Sequence, residues 1–252
     1  MLKLARHSQI KDLVAAPARL TVPELNSRLN VSEATIRRDL DELDRRGLLR
    51  RTHGGAVRAT QYEQEPPIHQ RESEQRAEKE RIGRRAAALV ADGQTVFLGS
   101  GTTVEAMLPH LLERHGLTII TNSLPVVNAL AGRPLELIVI GGLFRGSEMS
   151  LVGHIAEAAI RELRADLVFV GMRGIDPIHG FTSDFLPEAL TDRAILQIAP
   201  RRVVLADHTK FGRVCAVYLA PVTAAELIIS DHHLNPSTAA ALREKGLEVL
   251  LA

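Results

Sequence analysis

Two adjacent arginines, Arg37 and Arg38, stand in the stretch VSEATIRRDLDEL from Val31 to Leu43. A guanidinium group grips phosphate and can bridge guanine bidentately, so an arginine pair near the start of a helix suits nucleic acid. A second stretch suits a smaller anion. Leu98 to Thr103 reads LGSGTT, where Gly99 and Gly101 permit a sharp turn and Ser100, Thr102 and Thr103 add hydroxyls to free helix-start amides. Lys210, in ADHTKFG, offers a point charge to phosphate, and Asn122 or Asp176 offers bonds to sugar hydroxyls. Each of these loops also reads as ordinary turn chemistry, which glycine, asparagine and aspartate favour without any ligand. LGSGTT is neither a Walker A loop, lacking Gly-Lys-Ser/Thr, nor a dinucleotide fingerprint, since Val104 takes the third glycine position.

The arginines need a scaffold, and the first residues predict one. Ile10, Leu13 and Val14 recur at helical spacing, with Pro17 as a stop. Thr21-Val22-Pro23-Glu24 matches a capping box that opens a second helix, whose Leu25 and Leu29 face inward. After a short turn at Asn30 and Val31, Ser32 caps a third helix with an apolar stripe of Ile36, Leu40 and Leu43. At about 100° per residue, Ala34, Thr35, Arg37 and Arg38 point away from that stripe. This is the position from which a helix-turn-helix reads the major groove. In GLLRRTHGGAV, Gly47 ends the helix and an HGG turn joins two short strands, putting Arg50, Arg51 and His53 on a basic hairpin. A blander arrangement pairs Arg37 with Asp41 and Arg38 with Glu42 along an exposed helix. Residues 1 to 58 hold 12 Lys+Arg against 7 Asp+Glu, and the rest of the chain 19 against 23, so positive charge gathers where DNA contact is expected.

From Ala59 to Glu80 the chain is polar, carries Pro66-Pro67 and then turns helical in composition, which predicts a hinge and a helix with solvated charged faces. Beyond it, TVFL at 95 to 98, LTII at 117 to 120, LELIVI at 135 to 140, DLVFV at 166 to 170, RVVLA at 202 to 206 and LIIS at 227 to 230 alternate with helical segments. Near-continuous apolar strands of this kind predict an α/β domain with a parallel-rich sheet covered on both faces. Ligands in such sheets gather beyond the carboxyl ends of the strands, where LGSGTT, TNS at 121 to 123, GGLFRG at 141 to 146, GMRGIDPIHGFTS at 171 to 183 and ADHTKFG at 206 to 212 are expected as loops.

The N-terminal pattern resembles the DeoR family of bacterial transcriptional regulators, in which a segment very like VSEATIRRDLDELDRRGLLRRTHGGAV forms a winged helix-turn-helix. The resemblance resumes with GTT, TNS, the Gly141-Gly142 pair, GIDP with Gly180-Phe181-Thr182, and Asp207-His208-Thr209-Lys210, so it covers nearly the whole chain. It implies a DNA-binding domain at 1–58, a linker and helix at 59–79, and an effector-sensing α/β domain at 80–252. That domain is expected to be similar in fold to ribose-5-phosphate isomerase and the coenzyme A transferases. It also implies a repressor of a sugar catabolism operon that binds double-stranded operator DNA through Ser32, Ala34, Thr35, Arg37, Arg38, Arg50, Arg51 and His53. A phosphorylated sugar is expected as effector, with Ser100, Gly101, Thr102, Thr103 and Lys210 holding phosphate and Asn122, Asp176 and Asp207 lining the rest. Gly99 stands where many relatives carry aspartate, so one sugar-hydroxyl contact is missing or supplied elsewhere. Reading two-fold operators implies a homo-oligomer, a dimer or tetramer.

Other classes are weighed against this. An isomerase or transferase of phosphorylated sugars would draw a general base from Asp207, Glu188 or Asp176, but no carboxylate pair stands at a distinctive spacing. Asp231, His232 and His233 with His208 suggest a metal, yet adjacent histidines in a strand face opposite ways. Neither a metal nor a cofactor is expected. Cys215 is the single cysteine, which excludes an intrachain disulfide and fits a reducing compartment. No apolar run reaches the ~20 residues that span a bilayer, so a cytoplasmic protein with no membrane partner is expected.

Overall fold

A computed structural model describes residues 6, 7, 9, 10, 13, 20–45, 50–52, 55–57 and 66–252. The chain divides into two compact units, Met1–Glu63 and Gln64–Ala252.

In the first unit, β1 (Leu20–Thr21) leads into the helix Val22–Leu29, the helix Glu33–Arg45 follows, and β2 (Arg50–Thr52) and β3 (Gly55–Val57) form a hairpin. The capping box expected at Thr21 is present: Glu24 Oε2 accepts from the Thr21 amide at 2.7 Å, and the Glu24 amide donates back to Thr21 Oγ1 at 3.4 Å. Asn30 ends the first of these helices with φ 51°, a left-handed turn that asparagine tolerates, and Asn26 Nδ2 donates to Val31 O at 2.8 Å across it. The turn between the two helices is thus fixed by backbone and side chain together. Ile36, Leu40 and Leu43 are wholly buried against Ile10, Val22 and Leu25, as the spacing requires. Within this unit the sequence reading lacked β1, which pairs with β3, Leu20 opposite Ala56, and turns the hairpin into a three-stranded sheet.

The second unit is built on a seven-stranded sheet with the order β15-β14-β12-β9-β4-β5-β6. Its strands are β4 (Thr95–Leu98), β5 (Thr118–Thr121), β6 (Glu136–Val139), β9 (Leu167–Gly171), β12 (Arg201–Leu205), β14 (Leu227–Ser230) and β15 (Glu248–Leu251). Every pairing in it is parallel. Successive residues point to opposite faces, so Phe97, Val168, Val204 and Ile228 pack one way, with the helices His154–Arg161, Leu186–Ile195 and Pro236–Glu244. Val96, Leu98, Phe169, Val203 and Ile229 pack the other way, with the helix Arg76–Ala87 and with Val104, Met107 and Val126. Burying one such large side chain contributes roughly 1.5–3 kcal/mol, which makes the two apolar layers the main source of stability.

Three expectations are corrected. GMRGIDPIHGFTS is largely strand: β10 (Gly174–Asp176) and β11 (Gly180–Ser183) form an antiparallel hairpin to which β13 (Val217–Ala220) adds a third strand. GGLFRG holds β7 (Leu143–Arg145), which pairs with β8 (Ser150–Val152). LELIVI yields a half-exposed strand at one sheet edge, because β6 has a partner on one side and β5 is that partner.

Candidate functional site

In the first unit the stripe of Ile36, Leu40 and Leu43 decides what the opposite face of the Glu33–Arg45 helix presents. Ser32, Ala34, Arg37 and Arg38 are exposed and Thr35 half-exposed, all at the helix start. Ser32 caps the helix: its Oγ accepts from the Thr35 amide at 3.3 Å and lies 2.9 Å from Thr35 Oγ1. Arg37 pairs with Glu33, one turn earlier, at 3.1 Å, and not with Asp41; at 57% and 47% exposure this surface pair is easily exchanged for another anion. The helix is anchored from behind by a buried side chain the stripe did not announce. Asp39 Oδ1 accepts from Arg6 Nη2 at 3.1 Å and lies 3.0 Å from His7 Nε2. Burial works against the Asp39 charge, but the hydrogen bonds from Arg6 and His7 outweigh it and hold the carboxyl below its usual range. Arg50 and Arg51 fall in β2, while His53 lies outside the described residues.

In the second unit, LGSGTT leaves the carboxyl end of β4 as expected. Gly99 donates its amide to Phe169 O at 2.9 Å, and a Cβ there would lie 3.1 Å from Val170 Cγ1, so this glycine is seated tightly against β9. Gly101 takes φ 120°, open to glycine alone in practice, and turns the chain into Thr102–Glu105. That helix is a single turn, and Thr102 and Thr103 are buried. Across the sheet, Gly171 ends β9 between two neighbours: a Cβ on it would lie 3.5 Å from Ser100 O and 4.0 Å from Leu205 O. The loops after β4 and β12 therefore flank one point. Asp207 follows β12, is buried, and caps the short 3-10 turn His208–Lys210 by accepting from the Thr209 amide at 3.0 Å.

A lysine missed from the sequence completes this arrangement. Lys79 lies on the Arg76–Ala87 helix, is only 5% exposed, and donates through Nζ to Arg71 O at 2.6 Å. Burial pushes its ammonium down most strongly; Asp207 opposes that, while Lys210 and Arg71 add repulsion. Asp207 and Lys210 thus both act electrostatically on Lys79. Lys79 and Thr102 line a cavity of about 280 Å³ together with Glu72, Arg76, Ala106 and His110. Glu105, beside it, is raised to about 7 by burial first and by Glu72 second. The charged run around Lys79 read as solvated surface, yet Lys79, Ile82, Gly83 and Ala86 share one buried stripe at helical spacing. That stripe was the available signal.

The remaining expected residues lie on other elements. Asn122 follows β5, is buried, and donates through Nδ2 to Leu151 O at 3.0 Å; its Oδ1 is buried with no hydrogen-bond partner among the described residues. Asp176 stands at the tip of the β10–β11 hairpin, where its Oδ1 accepts from the amides of Ile178 and His179, both at 2.8 Å. That oxygen is engaged in its own turn. Glu188, weighed above as a base, accepts from Ser183 Oγ at 3.1 Å and is paired with Arg145, which Asp184 also contacts at 3.4 Å. No group of three or more potential metal-binding side chains occurs among the described residues. Among them, too, no helix is long and apolar enough to cross a membrane.

Residues 6–62 match the family model described as the DeoR-like helix-turn-helix domain, and residues 74–232 match the DeoR C terminal sensor domain. The chain belongs to the DeoR family. Among its curated relatives, the transcriptional repressor AccR of Agrobacterium fabrum is 35% identical over 90% of this chain and 88% of that protein. The glycerol-3-phosphate regulon repressor of Escherichia coli is 34% identical over 92% of each. The lactose phosphotransferase system repressor of Staphylococcus aureus is 37% identical over 84% of this chain and 86% of the relative. Among solved structures, ribose 5-phosphate isomerase A of Methanocaldococcus jannaschii covers 55% of the chain at 17% identity and a TM-score of 0.41. These relatives are named as repressors, and residues 6–62 give this DeoR-family chain the helix-turn-helix domain of a DNA-binding transcriptional regulator.

Proposed function

We propose that this DeoR-family regulator represses a sugar or carbohydrate catabolism operon and that a phosphorylated sugar, bound in the second unit, modulates its hold on the operator. The observation that carries the DNA half is the exposure of Arg37 and Arg38 at the start of a helix whose opposite face is locked in a core. Ser32, Ala34 and Thr35 share that helix start, and Arg50, Arg51 and His53 are assigned to contacts with the DNA backbone. Two copies read a two-fold operator, so the working species is a homo-oligomer, a dimer or tetramer, acting in the cytoplasm.

The effector half rests on buried cationic character beside a polar loop. Lys79 is held in a desolvated position where Lys210 repels it, and a dianion bound by the hydroxyls and amides of Ser100, Gly101, Thr102 and Thr103 relieves that repulsion. Asp207 and Asn122 then face the sugar, with Asp176 at the rim. Relatives named for the glycerol-3-phosphate regulon and the lactose phosphotransferase system support a sugar-related field. The test is operator binding by the purified protein at fixed salt, with and without a panel of sugar phosphates. Replacing both Arg37 and Arg38 with alanine should remove specific binding while the circular dichroism spectrum stays unchanged. Lys210→Ala should keep DNA binding and lose the effector response. Unaltered operator affinity in the double-arginine variant overturns the DNA assignment.

A further inference from the structure

We propose that Asp231 is a positioning residue of the anion site: it fixes the Asp207–Lys210 turn through His208 and touches no anion itself. The inference rests on the reading of Lys210 and the LGSGTT loop as that site. Asp231 follows β14 directly and is wholly buried. Because β14 runs parallel to β12, Asp231 lies beside the turn that leaves β12. Its carboxylate accepts from the His208 amide at 2.7 Å, lies 3.0 Å from His208 Nδ1, and accepts from the His233 amide at 2.9 Å.

A short 3-10 turn has little holding power of its own. Here its internal bonds are Lys210 N to Asp207 O at 3.1 Å and Phe211 N to His208 O at 3.3 Å, beside the Asp207 cap. An aspartate needed only to close its own turn would use the bond from the His233 amide and no more. The two bonds to His208 reach across to the other strand's loop and set the direction in which Lys210 leaves it. The same neighbourhood frames the second lysine: the His208 and His233 rings meet edge to face at 5.3 Å, and His233 Nε2 lies 3.8 Å from Glu78, which precedes Lys79. Burial opposes the Asp231 charge, yet the hydrogen bonds from His208 and His233 prevail and keep the carboxyl below its usual range, so the clamp is anionic at neutral pH.

The experiment is a double-mutant cycle on the full chain, with inorganic phosphate as probe and its dissociation constant taken from backbone amide shifts. Asp231→Asn should weaken phosphate by about tenfold, within the span that coupled residues show. In a Lys210→Ala background the same change should add less than about twofold, because the group it positions is gone. Independent, fully additive losses assign Asp231 a merely structural role and overturn the proposal. If Lys210→Ala weakens phosphate and Asp231→Asn does not, the anion site stands and the positioning role falls. If Lys210→Ala binds as the parent does, the anion reading falls and takes this inference with it. His208→Asn, which retains a donor near the place of Nδ1, should keep near-parent affinity where His208→Ala loses it; equal losses also overturn the proposal, and this pair serves if Asp231→Asn does not fold.

Discussion

Replacing Glu105 with glutamine isolates the cost of an ionised carboxylate beside the LGSGTT loop. Glu105 closes the single helical turn Thr102–Glu105, and its Oε1 is buried with no hydrogen-bond partner among the described residues. Burial first and the Glu72 charge second raise its carboxyl from an ordinary 4.5 to about 7, with Arg71 and Lys79 pulling the other way. The folded protein therefore holds this proton more tightly than the unfolded chain does. Its contribution to stability is complete below pH 4.5 and is lost as pH rises through about 7. The interval between those values, at ~1.4 kcal/mol per pH unit, sets an upper bound of ~3 kcal/mol at pH 8. Partial solvent contact lowers that to ~1–2 kcal/mol. Glutamine keeps the shape and carries no charge, so Glu105→Gln should stabilise the second unit by that amount at pH 8 and by almost nothing near pH 4. Urea unfolding followed by circular dichroism at both pH values measures the difference. A constant gap between variant and parent across that range refutes the reasoning, since it would mean that Glu105 does not titrate there in the folded state.

Two further outcomes follow from close contacts. A Cβ on Gly83 would lie 2.4 Å from the Ala106 carbonyl carbon, so Gly83→Ala should push the Arg76–Ala87 helix off the turn after LGSGTT at a cost of ~1–3 kcal/mol. Phosphate titration should show weaker binding while operator affinity persists. In the first unit, Asp39→Ala leaves Arg6 and His7 without their buried carboxylate and should destabilise that unit by ~3–5 kcal/mol in urea. Because the Asp39 carboxyl sits below its usual range, the stability it provides is present at neutral pH and disappears as pH falls through its folded value; the variant should lack that acid-side slope.

The sequence was informative where one residue type had one physical job. Thr21 and Glu24 could form a capping box from their spacing alone, and Ile36, Leu40 and Leu43 defined a face whose reverse had to carry Arg37 and Arg38. The apolar runs that became β4, β5, β9, β12 and β14 were legible for the same reason, since a strand covered on both faces is apolar at every position. Edge and partly exposed strands were harder. β15 has a neighbour on one side only, and β10 and β11 are rich in glycine and polar residues that equally suit loops. Lys79 and Asp39 stayed hidden because charge alone suggests solvent. Each is buried against a polar partner that its own helix does not supply, the Arg71 carbonyl for Lys79 and Arg6 for Asp39.

The strand order of the large sheet also dictates when it can form. β4 lies between β5, the next strand of the sheet along the chain, and β9, so Val96 must wait for Leu167 before its second ladder closes. β14 acquires its outer neighbour only when Glu248–Leu251 has arrived. Such long-range parallel pairing is slow, because loop closure must be met before the contacts reward it. A chain emerging from the ribosome can complete the small first unit early, from contacts close in sequence, while the half-built sheet waits with one edge of β4 exposed until β9 arrives. That interval is where misassembly would begin, and it makes this protein's folding yield most sensitive to the speed of synthesis and to chaperones over the span between β5 and β9.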